Sequence, residues 1–117
     1  MAELGTGVAT LPITVRNNQR WQAVLTLTAD SVPVNLTGCT AKLQVRSKAS
    51  STDAKLTLQA TEGLDITDAA GGEITIDADV SALKEGEYVY DLVITDSLGV
   101  PRTYLAGTFT VQQGVTR

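Results

Sequence analysis

The chain contains no histidine and a single cysteine, Cys39. Without an imidazole there is no Ser-His-Asp or Cys-His relay and no histidine-ligated metal site. A lone thiol with no base to take its proton reads as a small apolar residue rather than a nucleophile. It cannot close an internal disulfide, which suits folding in a reducing compartment. Aromatic side chains are scarce: Trp21, Tyr88, Tyr90, Tyr104 and Phe109 make up 4 per cent of the chain. The core must therefore consist of Val, Leu, Ile and Ala around a few rings. No run approaches the roughly 20 apolar residues of a membrane helix. The opening Met-Ala-Glu-Leu-Gly-Thr-Gly lacks the basic stretch and apolar run of a secretory signal. A soluble protein made in a cytoplasm is expected. Phosphate-cradling loops are missing as well, since Gly5-Thr-Gly7 and Gly71-Gly72 have neither the spacing nor a following helix.

What is present fits one domain. The 117 residues can bury about two-thirds of their unfolded surface without a disulfide or metal. A single domain over 1–117 is expected, with 1–7 and 114–117 as tails. The formal net charge of −4 argues against nucleic acid, whose phosphates call for a basic stripe. The charge is uneven. Residues 1–60 carry six Lys/Arg and three Asp/Glu, and residues 61–117 carry three and ten, so the halves stand at +3 and −7. Either these are solvated strand faces, or they are complementary poles that favour head-to-tail packing of identical subunits.

Period-2 alternation dominates the chain. Candidate strands are Val8–Val15, with Pro12 marking an edge, Arg20–Thr28, Val32–Leu36, Thr40–Arg46, Ala54–Gln59, a step at Leu64 and Ile66, Glu73–Ala78, Glu87–Asp96 and Arg102–Val111. Trp21, Ala23, Leu25 and Leu27 share one face, with Gln22, Val24, Thr26 and Thr28 on the other. In the last strand Thr103, Leu105, Gly107, Phe109 and Val111 fall together. Asp79 is placed to cap one helical turn near 79–84. Seven to nine short strands, turns every 8–12 residues and no long helix predict an all-β, immunoglobulin-like antiparallel sandwich.

The stretch Gly86-Glu-Tyr88-Val-Tyr90-Asp91 predicts a structural corner at Gly86, Tyr88 and Tyr90. There a tyrosine ring enters the core and its hydroxyl bonds backbone upstream. Tyr88, Tyr90, Leu92 and Ile94 then face the core, and Val89, Asp91, Val93 and Thr95 face away. A single sandwich cannot bury both faces of a central strand in one core. Val89 and Val93 are therefore candidate interface residues: either a loop or the N-terminal segment covers them, or a partner docks there. Arg46 and Lys48 border the Ser-rich loop 47–53. With Lys42 and Arg16 or Arg20 they form either a solvated face or a docking patch for an acidic partner. Asp77 and Asp79 are spaced for one strand face. They read as a Ca²⁺ pair or, more plainly, as solvated carboxylates running into a cap. Trp21 is either a core ring or a binding platform. No catalytic, cofactor-binding or metal residues are assigned, and a non-enzymatic protein is expected.

The order of several pieces carries a resemblance. A Trp-bearing strand is followed by Val34-Asn-Leu-Thr-Gly38, Ala41-Lys-Leu-Gln-Val-Arg46 and Gly72-Glu-Ile-Thr-Ile76. Then come Leu83-x-x-Gly86-x-Tyr88-Val-Tyr90-Asp91-Leu92, Gly107-Thr-Phe-Thr-Val111 and Val115-Thr-Arg117. Over roughly residues 18–117 this is similar to small tailed-bacteriophage virion proteins, specifically the N-terminal Ig-like domain of baseplate upper proteins. The resemblance implies a structural role: attaching fibres to a tail or baseplate, or decorating the particle, through docking to other phage virion proteins. It implies a homo-oligomer located in the virion, with no membrane, nucleic acid, cofactor or transferred catalytic residue. The chain ends where longer members continue into a fibre or stem, so a stand-alone adaptor or decoration protein is expected. The alternative is a carbohydrate- or host-surface-binding module using Trp21, Tyr104 and loop carboxylates.

Overall fold

Two sheets face each other in the computed structural model, which describes residues 2–3, 9–29, 31–48, 50–51 and 53–115. Among these residues there are eleven strands: β1 (Ala2–Glu3), β2 (Ala9–Thr10), β3 (Ile13–Arg16), β4 (Trp21–Ala29), β5 (Val32–Pro33), β6 (Thr40–Arg46), β7 (Leu56–Gln59), β8 (Leu64–Asp68), β9 (Glu73–Ala78), β10 (Gly86–Thr95) and β11 (Pro101–Gln112). The five-stranded sheet has the order β1-β4-β9-β8, with β5 also on β4. The six-stranded sheet runs β2-β11-β10-β6-β7, with β3 also on β11. The fold is an immunoglobulin-like β-sandwich. Its inner faces meet in one core that includes Trp21, Leu27, Leu43, Ile74, Ile76, Tyr90, Leu92, Leu105 and Phe109. Each aliphatic side chain of this kind contributes roughly 1.5–3 kcal/mol on burial.

Alternation explains most of this arrangement. In β10, Tyr90, Leu92 and Ile94 are buried while Val89, Asp91 and Val93 are only half-buried. In β6, Ala41, Leu43 and Val45 are buried. Trp21 is 9% exposed, and its ring meets Phe109 edge-on at 5.2 Å and 70°. That places it in the core and removes it as a binding platform.

Four local readings change. The expected strand Val8–Val15 is interrupted at Leu11-Pro12. Both flanking pieces, β2 and β3, pair in parallel with β11; Val8 lies outside the described residues. Proline has no N–H to give to a ladder, and the chain steps at that point. The expected helical turn near 79–84 is a hydrogen-bonded turn without a helix: Leu83 N–H donates to the Val80 carbonyl at 3.1 Å, while Asp79 Oδ1 accepts from Ser81 N–H at 2.9 Å. Thr28 is 7% exposed rather than solvated, because β1 and β5 both pair with β4 at its position. In β11 the register slips: Leu92 faces Leu105 but Val93 faces Thr103. Tyr104 is the extra residue of a β-bulge, so Thr103 leaves the inner row for the outer face.

The ends are also more involved than tails would be. Ala2 and Glu3 pair with Leu27 and Thr28. Gly114 is buried, and its N–H donates to Asn17 Oδ1 at 2.9 Å. The remaining expected tail positions, 1, 4–7 and 116–117, lie outside the described residues.

Candidate docking surface

Strand β10 is central in the six-stranded sheet, hydrogen-bonded to β11 on one side and β6 on the other. Its outward row carries Val89, Asp91 and Val93. The ladder sets Arg46 opposite Val89, Gln44 opposite Asp91 and Lys42 opposite Val93. Across β11 the neighbours are Thr108, Ala106 and Thr103. An outward row of this kind would normally be open to water. Here it floors a groove of about 660 Å³, with Thr10 and Pro12 on one wall and Arg46 on the other. A second hollow of about 550 Å³ continues past Val93 along Lys42, Thr40, Gln59 and Ala60.

Each wall has a physical cause. Arg46 is fixed by donating from Nη1 to the Ser51 carbonyl at 2.8 Å and from Nη2 to Gln44 Oε1 at 2.9 Å. Its guanidinium is thereby held at the groove edge with its stem beside Val89. The opposite wall depends on the step between β2 and β3. Leu11 N–H donates to the Ala106 carbonyl at 3.1 Å, and the Leu11 carbonyl accepts from the Tyr90 hydroxyl at 2.6 Å. This approach requires Gly107: a Cβ there would lie 2.6 Å from the Leu11 oxygen. An isolated glycine inside a strand marks such a close backbone approach. Burial of Tyr90 pushes its phenol pKa up to about 12, so the hydroxyl keeps its proton and remains a donor through the ordinary pH range. Tyr88 makes the shorter-range bond, donating from Oη to the Lys84 carbonyl at 2.7 Å, and it is half-buried. Gly86, at φ 155°, begins this strand.

Of the residues singled out from sequence, Val89, Val93 and Arg46 come together along this one surface. Lys48 does not: it is exposed in the turn after β6, and its carbonyl accepts from Ser51 N–H. Arg20 is also elsewhere. Its Nε donates to Asp77 Oδ1 at 2.6 Å beside the five-stranded sheet, so the anticipated basic patch divides between the two sheets. This bond raises the Arg20 pKa further. Asp79 is held below the usual carboxylate range by hydrogen bonds from Ser81. With Asp77 on Arg20 and Asp79 on Ser81, the proposed Ca²⁺ pair is engaged by protein groups. Among the described residues, no three His, Cys, Asp or Glu side chains are grouped to hold a metal ion. A polar hollow of about 590 Å³ lies by Asn17, Gln19, Arg20 and Ser81, but it contains no aromatic ring.

Thr10, Pro12, Gln44, Ala106 and Gly107 were not singled out as site residues. Gly107 was the available signal, as a glycine in the middle of an otherwise regular strand.

No family model matches the chain, and no curated protein matches it. Solved structures do match. The N-terminal domain of phage TP901-1 ORF48 superposes with a TM-score of 0.61 at 10% identity, covering 93% of this chain and 99% of that one. A Bacteroides ovatus mixed-linkage glucan utilization locus protein, SGBP-B, reaches 0.45 at 14% identity, with 96% of this chain on 23% of that one. CopC from Methylosinus trichosporium OB3b reaches 0.49 at 15%, with 100% and 90% covered. The first of these establishes likeness of fold from one end of the sandwich to the other, and the other two lie too far in geometry to carry an argument.

Proposed function

We propose that the chain is a non-enzymatic structural component of a tailed-bacteriophage particle, an adaptor or decoration element of the tail, baseplate or fibre apparatus. It works by protein–protein docking through the outer face of its six-stranded sheet. The observation that carries this reading is the near end-to-end likeness of fold to a phage protein's N-terminal domain. The ordered run of motifs from the Trp21 strand to Val111 supports it, and so does a walled, largely apolar groove where an ordinary sandwich face would be polar. Of the rings a sugar could stack on, Trp21 is buried and Tyr104 is half-buried. Trp21 is unavailable for that role.

The test is mass spectrometry of purified virions of the phage encoding the chain, with immunogold labelling to position it. Peptides of this chain in stoichiometric amount at the tail are expected. Particles that are complete without it overturn the proposal.

A further inference from the structure

The outer faces of the two sheets differ in charge and relief. On the six-stranded sheet, Lys42 and Arg46 lie four residues apart on β6, about 13 Å along the strand, beside the half-buried Val89 and Val93. Asp91 lies between the two valines. On the five-stranded sheet, Glu73 and Asp77 lie the same four residues apart on β9, with Thr75 between them. Asp65 faces Thr75 from β8, and Val24 faces it from β4. Val24 is 61% exposed and stands up as an apolar knob in an acidic surround. Arg20, a cation on that side, is bonded to Asp77.

These two surfaces fit one another. When β9 of one copy lies over β6 of another, Glu73 and Asp77, the latter shared with Arg20 of its own copy, come over the Lys42 and Arg46 positions with matched spacing, and Thr75 comes over Gln44. Val24, one strand across, then enters the groove above Asp91, between Val89 and Val93. The acid in the groove thus meets a valine instead of another carboxylate. Aligned sheets pack face to face about 10 Å apart, so one layer of side chains fills the gap. We infer that the groove of the six-stranded sheet receives the acidic, Val24-bearing face of a second copy of this chain. The contact is heterologous, because each copy uses a different face, and it therefore extends to a ring or a stack rather than stopping at a dimer. This inference rests on the docking role proposed above and names the partner.

Sedimentation velocity of the full chain in low salt tests it. Wild type is expected to form species larger than a monomer, growing with concentration, and to dissociate toward about 0.5 M salt as screening shortens the reach of the charges. Val89→Arg blocks the groove, and Val24→Asp sets a second carboxylate over Asp91. Both lie on outward rows, Val24 61% exposed and Val89 half-buried, and unchanged far-UV circular dichroism confirms the fold. Each variant alone is expected to remain monomeric, with self-association weakened at least about a hundredfold. A one-to-one mixture is expected to give a dimer and nothing larger, because only the intact groove of one and the intact knob of the other can meet. If V89R does not fold, Lys42→Glu with Arg46→Glu replaces it on the same face. A monomeric wild type, a variant that still assembles alone, or a mixture that stays monomeric overturns the inference. A chain present in virions but monomeric in solution sinks this inference alone, whereas self-association of a chain absent from virions sinks the virion reading alone.

Discussion

Removing the Tyr90 hydroxyl, as Tyr90→Phe, changes one atom at the point where the N-terminal segment is tied to the sheet. The bond it breaks, Tyr90 Oη to the Leu11 carbonyl at 2.6 Å, lies against a ring that is 4% exposed and packs edge-on to Phe109 at 6.2 Å. The phenylalanine ring retains that packing, so the loss is the hydrogen bond and the carbonyl left behind. At neutral pH this amounts to about 1–2 kcal/mol, or roughly 4–8 °C in melting temperature for a domain of this size. The wild type also carries a signature at high pH. Its phenol titrates near 12 when folded and near 10 when unfolded. The unfolded state therefore loses its proton first, and stability that is complete below pH 10 is lost as the pH climbs toward 12. The loss is on the order of 1 kcal/mol at pH 11 and about 2–3 kcal/mol well above pH 12. The variant has nothing to titrate at this position. Urea unfolding followed by the fluorescence of Trp21, performed from pH 7 to pH 11.5, should show the two stability curves converging near pH 11. Other tyrosines and lysines cancel in the difference. Equal stabilities at pH 7, or a difference that stays constant to pH 11.5, would refute the reasoning.

Gly107→Ala drives a methyl into the Leu11 carbonyl; a loss of about 1–3 kcal/mol in urea unfolding is expected, with faster amide exchange at Leu11 as the local readout. Thr61 holds φ at +63°, a costly region for a β-branched residue. Thr61→Asn should therefore raise the melting temperature slightly, and a decrease would count against strain at this turn. Tyr88→Phe removes a half-exposed bond to Lys84, so calorimetry should show a smaller loss than for Tyr90→Phe, below about 1 kcal/mol. Asp79 has a lowered pKa in the fold, so its contribution is present above the unfolded carboxylate range and fades as the pH falls through its folded value. The stability gap between wild type and Asp79→Asn should close in that acid window and stay open at neutral pH.

The alternation of β10 and β6 was legible because both are long, central and buried on one face only, which is the condition for a clean period of two. The same pattern correctly separated Tyr90 and Leu92 from Val89 and Val93. The wall over those valines was not legible. It depends on Leu11 reaching a strand almost a hundred residues later in parallel, and period-two patterning carries no information about which strands are neighbours. The bulge at Tyr104 was hidden for a related reason: Thr103 and Leu105 keep their spacing in sequence while the partner strand skips a residue. Lys48 seemed equivalent to Arg46, yet Arg46 ends a strand with two fixed acceptors while Lys48 stands in the turn beyond it. Charge by halves of the chain was a coarse guide, since β10 and β11 lie in the more acidic half but are built into the sheet that carries Lys42 and Arg46.

Because β3 pairs in parallel with β11, residues 13–16 are completed by residues 109–112, among the most distant partners the chain offers. Contacts this remote form late, after the entropy of closing a very long loop has been met. During synthesis β2 and β3 must wait for β11. The groove wall at Thr10 and Pro12 has no template until β11 has been made, so a nascent chain does not yet present the finished groove. On the self-association inferred above, assembly would be ordered in time by topology, because a copy offers its groove only once β11 is in place.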